Sequence, residues 1–233
     1  MTNFDVRKFD VADIRDMIKG KLYKKEYIID KTGAKTVELI GTAFFADEET
    51  IFGVVNKDYA EAEIAWYNSQ SLNINDMPCK VPAIWKAISD SDDMINSNYG
   101  WCIFSKENGS QYDNTLLELQ KSPDSRRAIM IYTRPSMWTD YNKKGMNDFM
   151  CTNTVQYLIR DNKVHAIVNQ RSMDVLFGYK NDRYWANYVL NKLASDLDLP
   201  AGDIIWQTGS LHVYERHFNL ISYNDRQLGL EGV

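Results

Sequence analysis

The stretch FMCTNTVQYLIRDNKVHAIVNQRSMD, residues 149–174, restricts the fold more than any other part of the chain. It reads as two long strands, Phe149–Arg160 and Val164–Arg171, joined by a tight turn at Asp161-Asn162-Lys163. A lone hairpin is marginally stable at best in water, so these strands need others beside them. The sequence that follows offers candidates. Asp182–Leu197 predicts a helix with Trp185, Val189, Leu193 and Leu197 on its inner face. Asp203–Thr208 and Leu211–Arg216 predict closing strands.

Upstream the pattern is mixed. Asp10–Gly20 reads as a short helix, capped by Asp10 and ended by Gly20. Tyr27–Asp30 and Thr36–Phe45 predict strands around a KTGAK turn. Asp58–Asn68 carries the helical stripe Ala60, Ile64, Tyr67. Residues Ser69 to Asn98 are polar and contain two prolines, which predicts a long surface excursion. Tyr99–Phe104 predicts a strand, Tyr112–Gln120 a helix, Ala128–Thr133 a buried strand and Met137–Asp148 a loop. No repeat, low-complexity segment or linker divides residues 1–233. The expectation is one α+β domain, a large mixed sheet with flanking helices.

Composition narrows the function classes. An apolar content of 44% excludes a disordered chain. With 27 basic and 32 acidic residues, the net charge of −5 argues against a general nucleic-acid binder, though not against a local basic pocket for a small anion. The longest apolar runs, such as Ala128–Tyr132, are too short to span a bilayer, and the N-terminus lacks the apolar segment of a secretory signal. Cys79, Cys102 and Cys151 form no even set, which predicts reduced thiols and a cytoplasmic location.

Single motifs leave alternatives open. His165, His212, His217 and the scattered cysteines have no zinc spacing, and there is no phosphate-binding glycine loop, so no metal is expected. Asp124–Arg127, DSRR, sets two guanidiniums side by side. They suit a phosphate, or simply a solvated strand end. Cys151 is a candidate nucleophile or a small core residue. Asn169–Asp174 turns polar after an apolar run, as a strand end facing a cleft does.

Taken together, DSRR, residues 149–178 and GSLHVYERHF resemble the thymidylate synthase family. INSNYGW, IMIYTRPSM and DFMCTNTVQYLIRD are similar to the phage deoxycytidylate hydroxymethylases of that superfamily. The likeness runs collinearly from Asp30 to Phe218. It implies a homodimer packed sheet against sheet, dCMP as substrate, and 5,10-methylenetetrahydrofolate as one-carbon donor. Neither nucleic acid nor membrane is required, and the setting implied is the host cytoplasm, in phage DNA modification.

The resemblance also implies roles. Cys151 becomes the nucleophile, with Tyr99 near it. Arg171 and Ser172 hold the phosphate within one subunit, Lys31 stands where the family has a loop arginine, and Arg126 and Arg127 reach across the dimer. His212 and Tyr214 hold the sugar hydroxyl. Glu63, three residues before Trp66, organises water. Asp174 bonds the folate ring and Trp85 lies against it. Asp182 stands where synthases carry a uracil-reading asparagine. Its own sequence setting also suits a helix N-cap. Arg171 is the cation expected to lower the Cys151 pKa.

Two departures bear on the reaction. Synthases usually show Pro-Cys-His at the nucleophile, whereas this chain has Met150-Cys151-Thr152. The chain after Phe218 is also shorter than the synthase tail that closes over the folate, which predicts weaker exclusion of water. The second favours water over hydride as the final addition. The alternatives are thymidylate synthase-type methylation, hydroxymethylation of dUMP or CMP, and a non-catalytic nucleotide- or RNA-binding member of the fold.

Overall fold

The computed structural model describes residues 9–30 and 33–221. Lys31 lies outside the described residues. Six strands form one sheet: β1 (Ile28–Ile29), β2 (Lys35–Phe45), β3 (Ile129–Ile131), β4 (Thr152–Arg160), β5 (Lys163–Asp174) and β6 (Ala201–Tyr214). Their order is β1-β2-β6-β5-β4-β3. All neighbours are antiparallel except β5 and β6, which run parallel. A parallel pair needs a crossover, and helix α7 (Gly178–Asp196) supplies it. The other helices of the fold are α1 (Val11–Tyr23), α2 (Lys57–Ser69), α3 (Ala83–Ile88), α4 (Tyr99–Phe104), α5 (Gln111–Lys121) and α6 (Met137–Asp140).

The 149–174 hairpin forms as expected. Asp161 and Asn162 both take positive φ, at 49° and 59°, the two-residue turn whose twist matches the strands. The core beneath the sheet centres on Trp66, Tyr157, Tyr179 and Trp206, all fully buried. Truncating one such ring to alanine costs about 3–5 kcal/mol.

Several boundaries differ from the sequence reading, each for a local reason. Asp10 does cap α1, in a reciprocal box with Asp13, but the helix runs past Gly20 to Tyr23. Tyr99–Phe104 is a helix, not a strand. The Asn98 side chain accepts from Trp101 N–H at 2.8 Å and outweighs the β preference of the aromatic residues. Gly100 permits α4 to lie on α2, since a Cβ there would sit 1.8 Å from the Tyr67 carbonyl oxygen. The 69–98 excursion is only partly superficial: Ile74, Met77 and Ile95–Asn98 are buried. Ala128–Thr133 shortens to an edge strand in which only Met130 is buried. The expected 137–148 loop contains α6. The two closing strands are one continuous strand, β6.

Candidate functional site

The site sits where β4, β5 and β6 leave the core. Cys151 is the residue before β4, not inside a strand as read from sequence. A bulge between Thr152 and Thr154 interrupts the ladder there, so the nucleophile candidate stands out of regular pairing. Arg171 on β5 grips the same segment. Its Nε donates to the Met150 carbonyl at 2.9 Å and its Nη2 to the Phe149 carbonyl at 2.7 Å. Its guanidinium also packs on the Phe149 ring. Nη2 lies 3.7 Å from the Cys151 sulfur. Burial pushes the Cys151 thiol up to about 11, and the pull of Arg171 in the other direction is the smaller effect. Arg171 thus lowers this thiol as expected, but within one chain desolvation is the larger effect.

Asp182 is not an N-cap. Helix α7 starts four residues earlier, after a turn tied by Asp174, whose Oδ1 accepts from Leu176 and Phe177 N–H at 2.9 and 2.7 Å. That leaves Asp182 one turn into the helix, facing the cleft wall. Gln170 Nε2 donates to its Oδ2 at 2.5 Å, and the nearby Tyr99 hydroxyl favours its charged form. Burial raises its pKa to about 7.

Glu63 on α2 faces Asp182. It accepts from the Tyr59 hydroxyl at 2.5 Å, with Trp85 and Tyr67 close by favouring its charged form. Burial raises its pKa to about 7, and the Asp182 charge adds to the rise. Trp85 on α3 donates to the Tyr59 hydroxyl at 3.1 Å and stands edge-on to Trp66. Two carboxyls whose pKa values lie near neutrality in one wall form an acid–base pair by environment, not by sequence neighbourhood.

The parallel β5–β6 pair aligns the remaining expected residues. Ser172 lies opposite Ser210 and Asp174 opposite His212. The His212 ring meets Tyr214 edge-on at 4.9 Å. Tyr214 feels the charges of Asp174 and Cys151, and burial raises its pKa. Gly209 allows this close lateral approach, since a Cβ there would lie 2.9 Å from the Arg171 carbonyl oxygen.

Arg126 and Arg127 do not join this cluster. Ala128 bonds Tyr157, six residues along β4 from Cys151, about 20 Å at the usual rise per residue. The Arg127 side chain is 80% exposed and pairs with Glu118 at 3.0 Å. Residues that sequence reasoning missed include Gln170, Tyr59, Tyr67 and Trp206. Gln170 lay within the flagged Asn169–Asp174 stretch, but nothing in the sequence pairs it with Asp182. Among the described residues no group of three or more His, Cys, Asp or Glu could hold a metal, and no helix is long and apolar enough to cross a membrane.

Comparison with known proteins agrees with this geometry. The family model described as thymidylate synthase matches residues 15–228. The chain is 55% identical over 220 residues to the deoxycytidylate 5-hydroxymethyltransferase of Enterobacteria phage T4, covering 91% of this chain and 89% of that protein. Among solved structures, thermostable thymidylate synthase A from Bacillus subtilis superposes with a TM-score of 0.71 at 21% identity, over 93% of this chain and 84% of that one. Thymidylate synthase from phage T4 also gives 0.71, at 22% identity, over 88% and 77%.

Proposed function

The chain belongs to the thymidylate synthase family, and from that premise we propose that it hydroxymethylates C5 of deoxycytidylate. Its 55% identity to a phage deoxycytidylate 5-hydroxymethyltransferase supports this reaction over methylation of deoxyuridylate. The observation that carries the reading is Asp182, a carboxyl with a pKa near 7 on the wall beside Cys151. Cytosine offers an N4 amino donor and an N3 acceptor, and a neutral carboxyl can accept from one and donate to the other. With that proton held opposite N3 and the bare oxygen opposite the 4-position, uracil mispairs at both places, its N3–H donor facing the proton and its O4 acceptor facing the oxygen.

The overall change is dCMP plus 5,10-methylenetetrahydrofolate plus water, giving 5-hydroxymethyl-dCMP and tetrahydrofolate. The folate supplies the one-carbon unit. The residues present suit it: Asp174 commits one oxygen to the turn before α7, which leaves the other for a ligand beside the half-exposed Phe177.

The chain's own groups do the rest. Cys151 adds as thiolate to C6, and the electron pair displaced to C5 makes that carbon nucleophilic. Arg171 and Ser172 bind the phosphate, together with Lys31, which stands where the family has an arginine. His212 and Tyr214 bind the sugar hydroxyl. Tyr99, held by Thr152 beside Asp182, keeps the base edge against the nucleophile. Glu63 orients and deprotonates the water that completes the hydroxymethyl group, a task suited to a base poised near neutrality. Thiolate is expelled at the end, restoring Cys151.

In a homodimer, the phosphate also receives Arg126 and Arg127 from the other subunit. Their charge adds to that of Arg171 and opposes the desolvation that holds the thiol protonated. The setting that fits is the host cytoplasm.

The test is covalent capture. A 5-fluorinated dCMP has no C5 proton to lose, so with folate it should stall as a ternary adduct. Peptide mapping is expected to place the adduct on Cys151. An adduct on Cys79 or Cys102, or full turnover by Cys151→Ala, would remove the nucleophile from this account.

A further inference from the structure

Thr152, which replaces the histidine of the synthase pattern, is absorbed by nothing in the reaction above, yet it is buried and makes two hydrogen bonds. Their direction can be worked out from one fixed point. The Trp206 indole can only donate, and it donates to Gln170 Oε1 at 3.1 Å. That sets the Gln170 amide, so its Nε2 must donate. One N–H goes to Asp182 Oδ2 at 2.5 Å and the other to Thr152 Oγ1 at 3.1 Å. Thr152 then has one proton to give, and the Tyr99 hydroxyl is 3.0 Å away. Tyr99, fixed as an acceptor by that donation, stands beside Asp182 and favours its charged form. A chain of donors thus leads from Trp206 to Gln170, and from Gln170 both to Asp182 and, through Thr152, to Tyr99 beside it.

We infer that Thr152 is a positioning residue for base choice, because it holds the Gln170 amide that donates to the protein-facing oxygen of the Asp182 carboxyl and so leaves the carboxyl proton on the side of the cleft. A proton there faces N3 of a cytosine. Without the Thr152 hydroxyl, the Tyr99 hydroxyl loses its donor and Gln170 has an unsatisfied buried N–H. The carboxyl is then free to turn its proton inward. Thr152 follows the nucleophile directly, so the same chain also fixes the spacing between the thiol and the base edge. The inference rests on Asp182 being the base reader.

The experiment measures kcat/KM for dCMP and dUMP from pH 5.5 to 9 on wild type, Thr152→Val, Thr152→Ser and Asp182→Asn. Thr152→Val is expected to cut the dCMP:dUMP ratio by roughly 5- to 30-fold, the scale of one mispaired buried hydrogen bond. Because Asp182 loses support for its charged form, the limb of the dCMP profile near pH 7 should move to higher pH. Thr152→Ser keeps the hydroxyl and should return both readouts to within about twofold of wild type. Thr152→Ala should match the valine variant and stands in if valine prevents folding. A wild-type ratio and limb in Thr152→Val, with both altered in Asp182→Asn, would overturn the role of Thr152 alone. A wild-type ratio in Asp182→Asn as well would overturn the base-reading premise and this inference with it.

Discussion

The two ends of β4 are built in opposite ways. At the Cys151 end, Arg171, Gln170, Tyr99, Asp182 and Glu63 each take part in hydrogen bonds within the chain. At the other end, Arg126 and Arg127 stand in solvent, and the Arg127 guanidinium pairs with Glu118. An exposed ion pair of that kind is weakly held, so on the function proposed above Arg127 would exchange Glu118 for a phosphate at little cost. On that reading the chain carries the groups for the base by itself, and a second copy would complete the phosphate grip. Ile129 and Ile131, 40% and 50% exposed beside these arginines on β3, are apolar surface that such a copy would cover.

The sharpest way to break the comparison is complementation. Cys151→Ala and Arg127→Ala are each expected to lose at least about 10³-fold in activity. Mixed under subunit exchange, they should regain roughly a quarter of the wild-type rate, because half the dimers are mixed and each mixed dimer has one intact site. No recovery with mixed dimers demonstrated by mass would mean that both ends of β4 serve the same subunit.

A smaller effect probes the self-contained end. Asp182→Asn is expected to shift the kcat/KM ratio from dCMP towards dUMP by roughly 5- to 150-fold, the range for one unsatisfied buried polar group. Since Asp182 is not the cap of α7, no capping energy changes with it, and the unfolding midpoint at pH 5 should stay close to wild type. An unchanged ratio would reduce Asp182 to a structural acid.

The smallest effect concerns stability. The folded pKa of Glu63, near 7, lies above its ordinary value of 4.5. The native state therefore holds a proton that the unfolded chain releases, and stability falls as pH rises from about 4.5 to about 7, by at most about 3 kcal/mol. Glu63→Gln is neutral throughout and removes this slope. Its midpoint difference between pH 5 and pH 8 should shrink by roughly 3–10 °C relative to wild type. An equal slope in both proteins would mean that Glu63 is already ionised when folded.

The sequence was a good guide where local patterns decide and a poor one where partners come from afar. The hairpin and its two-residue turn were legible because alternation and turn residues are local. Helix α4 was misread because β-prone aromatics drew attention from Asn98, the side chain that caps it. The start of α7 was missed because the turn before it is tied from Asp174, behind the helix, so Asp182 passed for a cap. Family likeness named Glu63 and Asp182 one by one. Their mutual influence and the donor chain behind Asp182 come from segments distant in sequence that meet only in the fold. The effect of burial on Cys151 was equally invisible, since the Arg171 contact suggested the opposite sign.

The central claim is that water, not hydride, completes the one-carbon unit on cytosine. The most direct measurement is the mass of the nucleotide after incubation with dCMP and 5,10-methylenetetrahydrofolate. The account predicts that dCMP gains CH2O and that dUMP is used poorly. A gain of CH2 with dihydrofolate as co-product, or an unchanged nucleotide in the presence of folded enzyme, would contradict it.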